Sequence, residues 1–149
     1  MNNNREIKFR VWSKELNRFL GKEEYCLDLD GKLIFVGFSQ NYHTDGSVNL
    51  KAVAPSSYAL QQFTGLTDKN GKEIYEGDIV KFFRPELKII NQIEKIYICS
   101  VIYKDAEFRI EDLKNKTFHV LNSFSSKHIY EVIGNIFENS ELIQIPEQQ

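Results

Sequence analysis

The stretch that decides the fold is Gly65-Leu66-Thr67-Asp68-Lys69-Asn70-Gly71-Lys72-Glu73-Ile74-Tyr75-Glu76-Gly77-Asp78-Ile79-Val80. Asp68 and Asn70 have the alternate spacing that opens a calcium loop. An EF-hand, however, needs glycine at its sixth position and a bidentate glutamate at its twelfth. Here Gly71 stands fourth and Ile79 twelfth, so the spacing rules that reading out. The glycines also lack the Walker or dinucleotide spacing, with its following helix, that cradles phosphate. Turn chemistry remains. Asp68-Lys69-Asn70-Gly71 suits a turn in which the aspartate side chain accepts backbone N–H groups and Gly71, or Asn70 with it, takes the left-handed conformation. Glu76-Gly77-Asp78 is a second turn that feeds a strand from Ile79. The alternative is a loop that presents a binding surface, with Asp68, Asn70, Tyr75, Glu76 and Asp78 as its candidate residues.

Working outward, strand signals dominate. Ile7 to Val11 alternates apolar and charged side chains, Ser13 to Asn17 reads as a turn, and Arg18-Phe19-Leu20 returns as a second strand. Asp30-Gly31 lies between apolar runs that begin at Leu27 and Leu33, a strong signal for a tight primed turn. Asp45-Gly46 repeats that device, and residues 58–63 alternate more weakly. Further strands are expected over Asp78–Phe83, Ile96–Lys104, Glu107–Glu111, Thr117–Leu121 and Tyr130–Phe137, with Gly134 a bulge or close backbone approach. Residues 84–95 read as a long excursion at a strand edge. Short helices have room only at Ser56–Gln62 and from Asn139, where Asn139 or Ser140 would cap a turn through Glu141 to Gln144.

The 149 residues, 42% hydrophobic with eleven Phe and seven Tyr, are enough for one folded domain with a core. Two lobes sharing that core, about 1–62 and 63–149, are the alternative organisation. A net charge of −2 gives no global attraction to nucleic acid or to an anionic membrane. The ends differ, though. Residues 1–22 carry net +4 and residues 131–149 carry −4, which suits mutual attraction or, alternatively, a basic nucleic-acid patch. The sequence opens on Met1-Asn2-Asn3-Asn4 without a leader pattern, and its longest apolar run, Leu33 to Phe38, is too short to span a bilayer. Cys26 and Cys99 are widely separated and have apolar neighbours. They read as reduced core residues of a cytoplasmic protein.

Three segments carry a resemblance. Phe63 to Val80, Arg5-Glu6-Ile7-Lys8-Phe9-Arg10-Val11-Trp12, and Val132-Ile133-Gly134-Asn135-Ile136-Phe137-Glu138-Asn139 with Glu141-Leu142 together resemble the YopX family of phage and prophage proteins. Residues 23–57 and 84–127 hold nothing that matches. The resemblance implies a phage or prophage origin in a bacterial host and a small, largely β protein, with self-association among the expectations. It carries over no catalytic residue. The signature segment is also similar to the Gly-Asp turn that starts a strand in SH3-like barrels. The fold expected is therefore mainly β, barrel-like or two-lobed, with SH3-like barrel character in the second half and little helix.

Enzyme chemistry finds little footing. His43, His119 and His128 are scattered, without metal-ligand spacing. Ser123, Ser125 and Ser126 lie near His128, but no nucleophile elbow accompanies them. Glu73, Glu76 and Asp78 could meet across a turn and perturb one another, although acidic turn residues usually face water. No cofactor and no metal is expected. Binding is the better class, and two forms of it stand. One is a non-enzymatic interaction module for a host or phage protein, acting through a β edge or an aromatic patch. The other is a nucleic-acid-binding accessory protein in which Trp12 stacks bases while Arg10 and Lys14 hold phosphates. Phe9, Val11 and Phe19 fit an inward strand face, and Trp12 falls on the opposite parity, which makes its exposure the point to test.

Overall fold

The computed structural model describes residues 6–28, 30, 32–37, 49–52, 54–83, 96–121 and 130–143. Within them the protein is mainly β, with two short 3₁₀ turns at Pro55–Ser57 and Ser140–Leu142. The chain divides into two compact units, Arg10–Gln61 and Met1–Phe9 with Gln62–Gln149.

The smaller unit begins with β1 (Phe9–Ser13) and β2 (Arg18–Phe19), paired antiparallel with Trp12 opposite Phe19. This hairpin starts two residues later than the alternation suggested. The Ser13 hydroxyl, placed in the turn from sequence, ends the strand and accepts the Leu16 N–H at 3.1 Å, while Asn17 takes φ 51°. Strands β3 (Tyr25–Leu27), β4 (Leu33–Gly37) and β5 (Asn49–Ala52) form an antiparallel sheet in that order.

The β3–β4 hairpin is present, but its loop is longer than a two-residue turn. Asp28 N–H donates to the Lys32 carbonyl at 3.0 Å, and the Asp28 carboxylate accepts the N–H groups of Asp30 and Lys32. A side chain thus does the ordering that was expected of a primed backbone turn. Asp45-Gly46 lies outside the described residues. The core of this unit is Val11, Leu20 and Leu33, flanked by Tyr25, Leu27, Tyr58 and Leu60.

β6 (Tyr58–Thr67) runs through the unit boundary at Gln61, pairing with β1 at one end and with β7 (Glu73–Tyr75) at the other. The short helix allowed at Ser56–Gln62 is absent. Only Pro55–Ser57 turns, and Tyr58 onward is extended, because apolar side chains at alternate positions have a sheet to join.

The larger unit holds an antiparallel sheet of β8 (Asp78–Phe83), β9 (Ile96–Lys104), β10 (Glu107–Asp112), β11 (Phe118–Val120) and β12 (Tyr130–Asn135), ordered β11-β10-β9-β8-β12. β8 to β11 form a meander, and the last strand returns to pair with the first. Alternate residues supply one apolar face: Val80, Phe82, Cys99, Val101, Phe108, Ile110 and Tyr130 form a core together with Ile74 and Leu121. A register shift between Val132 and Gly134 marks the expected bulge, where a Cβ on Gly134 would meet Asn139 Oδ1 at 2.6 Å. Asn139 spends that oxygen on the Asn135 N–H rather than on capping the 3₁₀ turn that follows. Residues 84–95 lie outside the described residues.

Candidate functional site

The signature stretch is built as two side-chain-ordered turns. Asp68 Oδ1 accepts the N–H groups of Asn70 at 2.8 Å and Lys72 at 2.9 Å, and Gly71 takes φ 83°, a left-handed conformation that suits glycine. At the second turn, Asp78 Oδ2 accepts the Tyr75 N–H at 2.8 Å, and Gly77 takes φ 76°.

Both turns reach β12. Asp68 Oδ2 accepts the Val132 N–H at 3.0 Å, Lys69 N–H donates to the Tyr130 carbonyl at 2.9 Å, and Lys69 Nζ pairs with Glu131 at 2.8 Å. Further along, Asn135 Nδ2 donates to Asp78 Oδ1 at 3.3 Å, and Ile136 N–H donates to the Gly77 carbonyl at 2.9 Å. The first segment of the resemblance arrives as well: Phe63 N–H bonds the Lys8 carbonyl, and Lys8 Nζ lies 2.5 Å from Glu73 and 3.0 Å from Glu6. Three stretches far apart in sequence therefore meet. Their shared residues hold a sheet edge in place.

The electrostatics follow from these bonds. Burial pushes the Asp68 carboxyl up, but hydrogen bonds from the backbone of Val132, Lys72 and Asn70 outweigh it, and the net shift is downward. Glu76 shifts the other way: burial raises its pKa, and hydrogen bonds from the backbone of Gln62 and Tyr103 only partly offset this. Glu73 is occupied by Lys8 and by the Tyr75 hydroxyl at 2.7 Å. The meeting of Glu73, Glu76 and Asp78 considered from sequence is thus replaced by separate partners for each.

Arg10, Trp12 and Lys14 sit in the smaller unit. Trp12 is only 4% exposed, packed edge-on against Phe19 with ring centroids 5.1 Å apart. Phe19 lies beside Trp12 rather than on the Val11 face, because its cross-strand register places it there. The Arg10 guanidinium covers the Phe19 ring at 4.6 Å while its Nε donates to Gln61 at 2.8 Å, and Lys14 Nζ donates to the Ser56 carbonyl. A base-stacking role for Trp12 is corrected by this burial. Among the described residues, Lys8 pairs with Glu6 and Glu73, Arg18 with Glu24, and Glu131 with Lys69.

Cys26 is exposed, contrary to the core role expected of it. Cys99 is buried, and burial, with the nearby charge of Asp112, pushes its thiol up to about 12. His119 packs against Phe82 and Tyr97, whereas His43, His128 and Ser123, Ser125 and Ser126 lie outside the described residues. Among the described residues no group of three or more His, Cys, Asp or Glu could hold a metal, and no helix is long and apolar enough to cross a membrane.

Sequence reasoning missed the opposite edge of the sheet. Asp112 N–H bonds the Thr117 carbonyl and Leu121 N–H bonds the Phe108 carbonyl. The antiparallel alternation then turns the N–H and C=O groups of Phe118 and Val120 away from β10. Phe118 is 42% exposed and Val120 51%. Their shared parity within Thr117–Leu121, opposite to that of Leu121, was the available signal.

A family model described as YopX protein matches residues 8–144. The chain belongs to the YopX family. Among solved structures, this YopX-family chain is similar to protein EF1440 from Enterococcus faecalis, at 28% identity and a TM-score of 0.54, over 93% of this chain and 98% of that one. It is also similar in fold to protein yopX from Bacillus subtilis, at 22% identity and a TM-score of 0.54, over 90% of this chain and 95% of that one. No curated protein matches. The matched range takes in most of the three quoted segments: the signature stretch bonds β12, and Lys8 of the first segment bonds Phe63 and Glu73.

Proposed function

We propose that this YopX-family chain is a non-enzymatic protein-interaction module of phage or prophage origin, acting in the cytoplasm of a bacterial host, that accepts an extended segment of a host or phage protein along β11. The observation that supports this reading is the edge itself. Phe118 and Val120 offer outward backbone groups together with exposed apolar side chains, the two components of recognition by strand addition. The strand order, a four-strand meander with the last strand returning to the first, supports the SH3-like character expected for this half. The nucleic-acid alternative loses its stacking ring with Trp12 buried, and the signature carboxylates are occupied by structural bonds rather than free for acid–base work.

The test is an affinity capture from phage-infected host lysate with nuclease, comparing the tagged protein with Val120→Pro. That substitution removes an outward N–H from an edge strand and leaves the β10 ladder intact. The reading expects nuclease-resistant proteins on the wild type that the variant does not retain. Equal retention by both, or retention only of nuclease-sensitive material, would overturn it.

A further inference from the structure

The β11 edge carries charge as well as apolar surface. Lys104 Nζ lies 4.8 Å from the centroid of the Phe118 ring, which places an ammonium beside the exposed apolar pair. Lys114 and Lys116, both exposed, lead into the strand. Among the described residues none of these three lysines has an ion-pair partner. Arg109, in register with Val120, is held by Glu107 at 2.6 Å and Asp105 at 3.0 Å, so its charge is already met. Glu111, in register with Phe118, and Glu107, in register with Lys104, are the acids that face this group. Among the described residues on this face, Lys104, Arg109, Lys114 and Lys116 stand against Asp105, Glu107 and Glu111, a net of +1, and the cations without an ion-pair partner are the three lysines.

We infer that the segment received on β11 is an extended acidic peptide, with apolar side chains at alternate positions to cover Phe118 and Val120 and carboxylates beside them to meet Lys104, Lys114 and Lys116. This rests on the strand-addition reading above and names its partner chemistry. Lysines at a sheet edge discourage indiscriminate pairing, so they make the acceptor selective while leaving it open. A second copy presenting its own β11 would bring like charges together and set His119 against His119. Charge complementarity therefore favours a different protein over a second copy.

The experiment uses fluorescence anisotropy with three synthetic peptides that share an alternating Val-Thr centre and carry glutamate, glutamine or lysine flanks. The glutamate peptide should bind the full chain about tenfold tighter than the lysine peptide at low salt, with the gap closing as salt is added. Lys104→Glu combined with Lys116→Glu should invert that order. Val120→Pro, with Phe118→Pro as a second edge variant and urea unfolding as the folding control, should abolish binding of all three. Equal binding of the three peptides, lost in the proline variants, overturns the acidic inference and leaves strand addition standing. Absence of binding by every peptide, or binding undisturbed by either folded proline variant, overturns strand addition itself.

Discussion

The Asp68 carboxylate and the Val132 N–H, 64 residues apart in sequence, meet at 3.0 Å, and through that bond a turn closes the edge of a sheet. Asp68 is 2% exposed and serves three backbone donors at once. The single acceptor thus satisfies groups in its own turn and in a distant strand.

Asp68→Ala should cost about 3 kcal/mol, because it removes a charged acceptor from three part-buried backbone bonds. Asp68→Asn keeps one carbonyl oxygen and should cost less. Urea unfolding of the two variants checks the order. The sign of the pH effect follows from the depressed carboxyl. Its stabilisation is complete above the ordinary aspartate value and is lost only as pH falls through the lower folded one.

Glu76 should behave in the opposite sense. Its folded pKa is raised by burial, so ionisation costs stability at high pH, and that cost fades as pH falls through the raised value. Glu76→Gln should therefore raise the urea midpoint at about pH 8 and give no gain at about pH 4. A gain of equal size at both values would show that the charge is not the cause.

Trp12 is the sole tryptophan, which makes its burial measurable without labelling. The native protein should emit blue of free tryptophan and resist acrylamide, with both properties lost in urea. Added oligonucleotide should leave the emission unchanged. Trp12→Ala should destabilise by about 4 kcal/mol through the cavity it leaves beside Phe19.

Backbone direction along β11 gives a paired test. The alternation assigns His119 N–H to the β10 ladder and Val120 N–H to the outside. His119→Pro should cost about 3 kcal/mol or more, whereas Val120→Pro should cost distinctly less. Hydrogen exchange read at these amides in the wild type should show His119 protected and Val120 fast.

Much of the strand framework was legible from alternation alone. Asp78–Phe83 and Ile96–Lys104 appear with the bounds their patterns suggested, because a face of Val80, Phe82, Cys99 and Val101 leaves one period to choose. The turn role of Asp68 and Gly71 was equally readable, being local side-chain-to-backbone chemistry. The burial of Trp12 was not legible, because parity describes one sheet face only. The second face of β1 is covered by Phe19 and Arg10, whose positions depend on pairing register. The bonds from Asp68 to Val132 and from Asp78 to Asn135 span 64 and 57 residues, beyond any local pattern. β7 escaped notice for a related reason: three residues between two turns show no period until β6 lies beside them.

The two borders of the five-stranded sheet have different fates, and this sets a limit on stoichiometry. Were both borders available, each arriving strand would leave a fresh one behind it, and assembly could run on without an end. With Asp68 taking the outward N–H of Val132 and Lys69 bonding the outward carbonyl of Tyr130, the border left for pairing among the described residues is at Phe118 and Val120. If strand addition occurs as proposed, filling that border would end the series after a single event, and the Asp68 turn on the other border would act as a stop against runaway polymerisation.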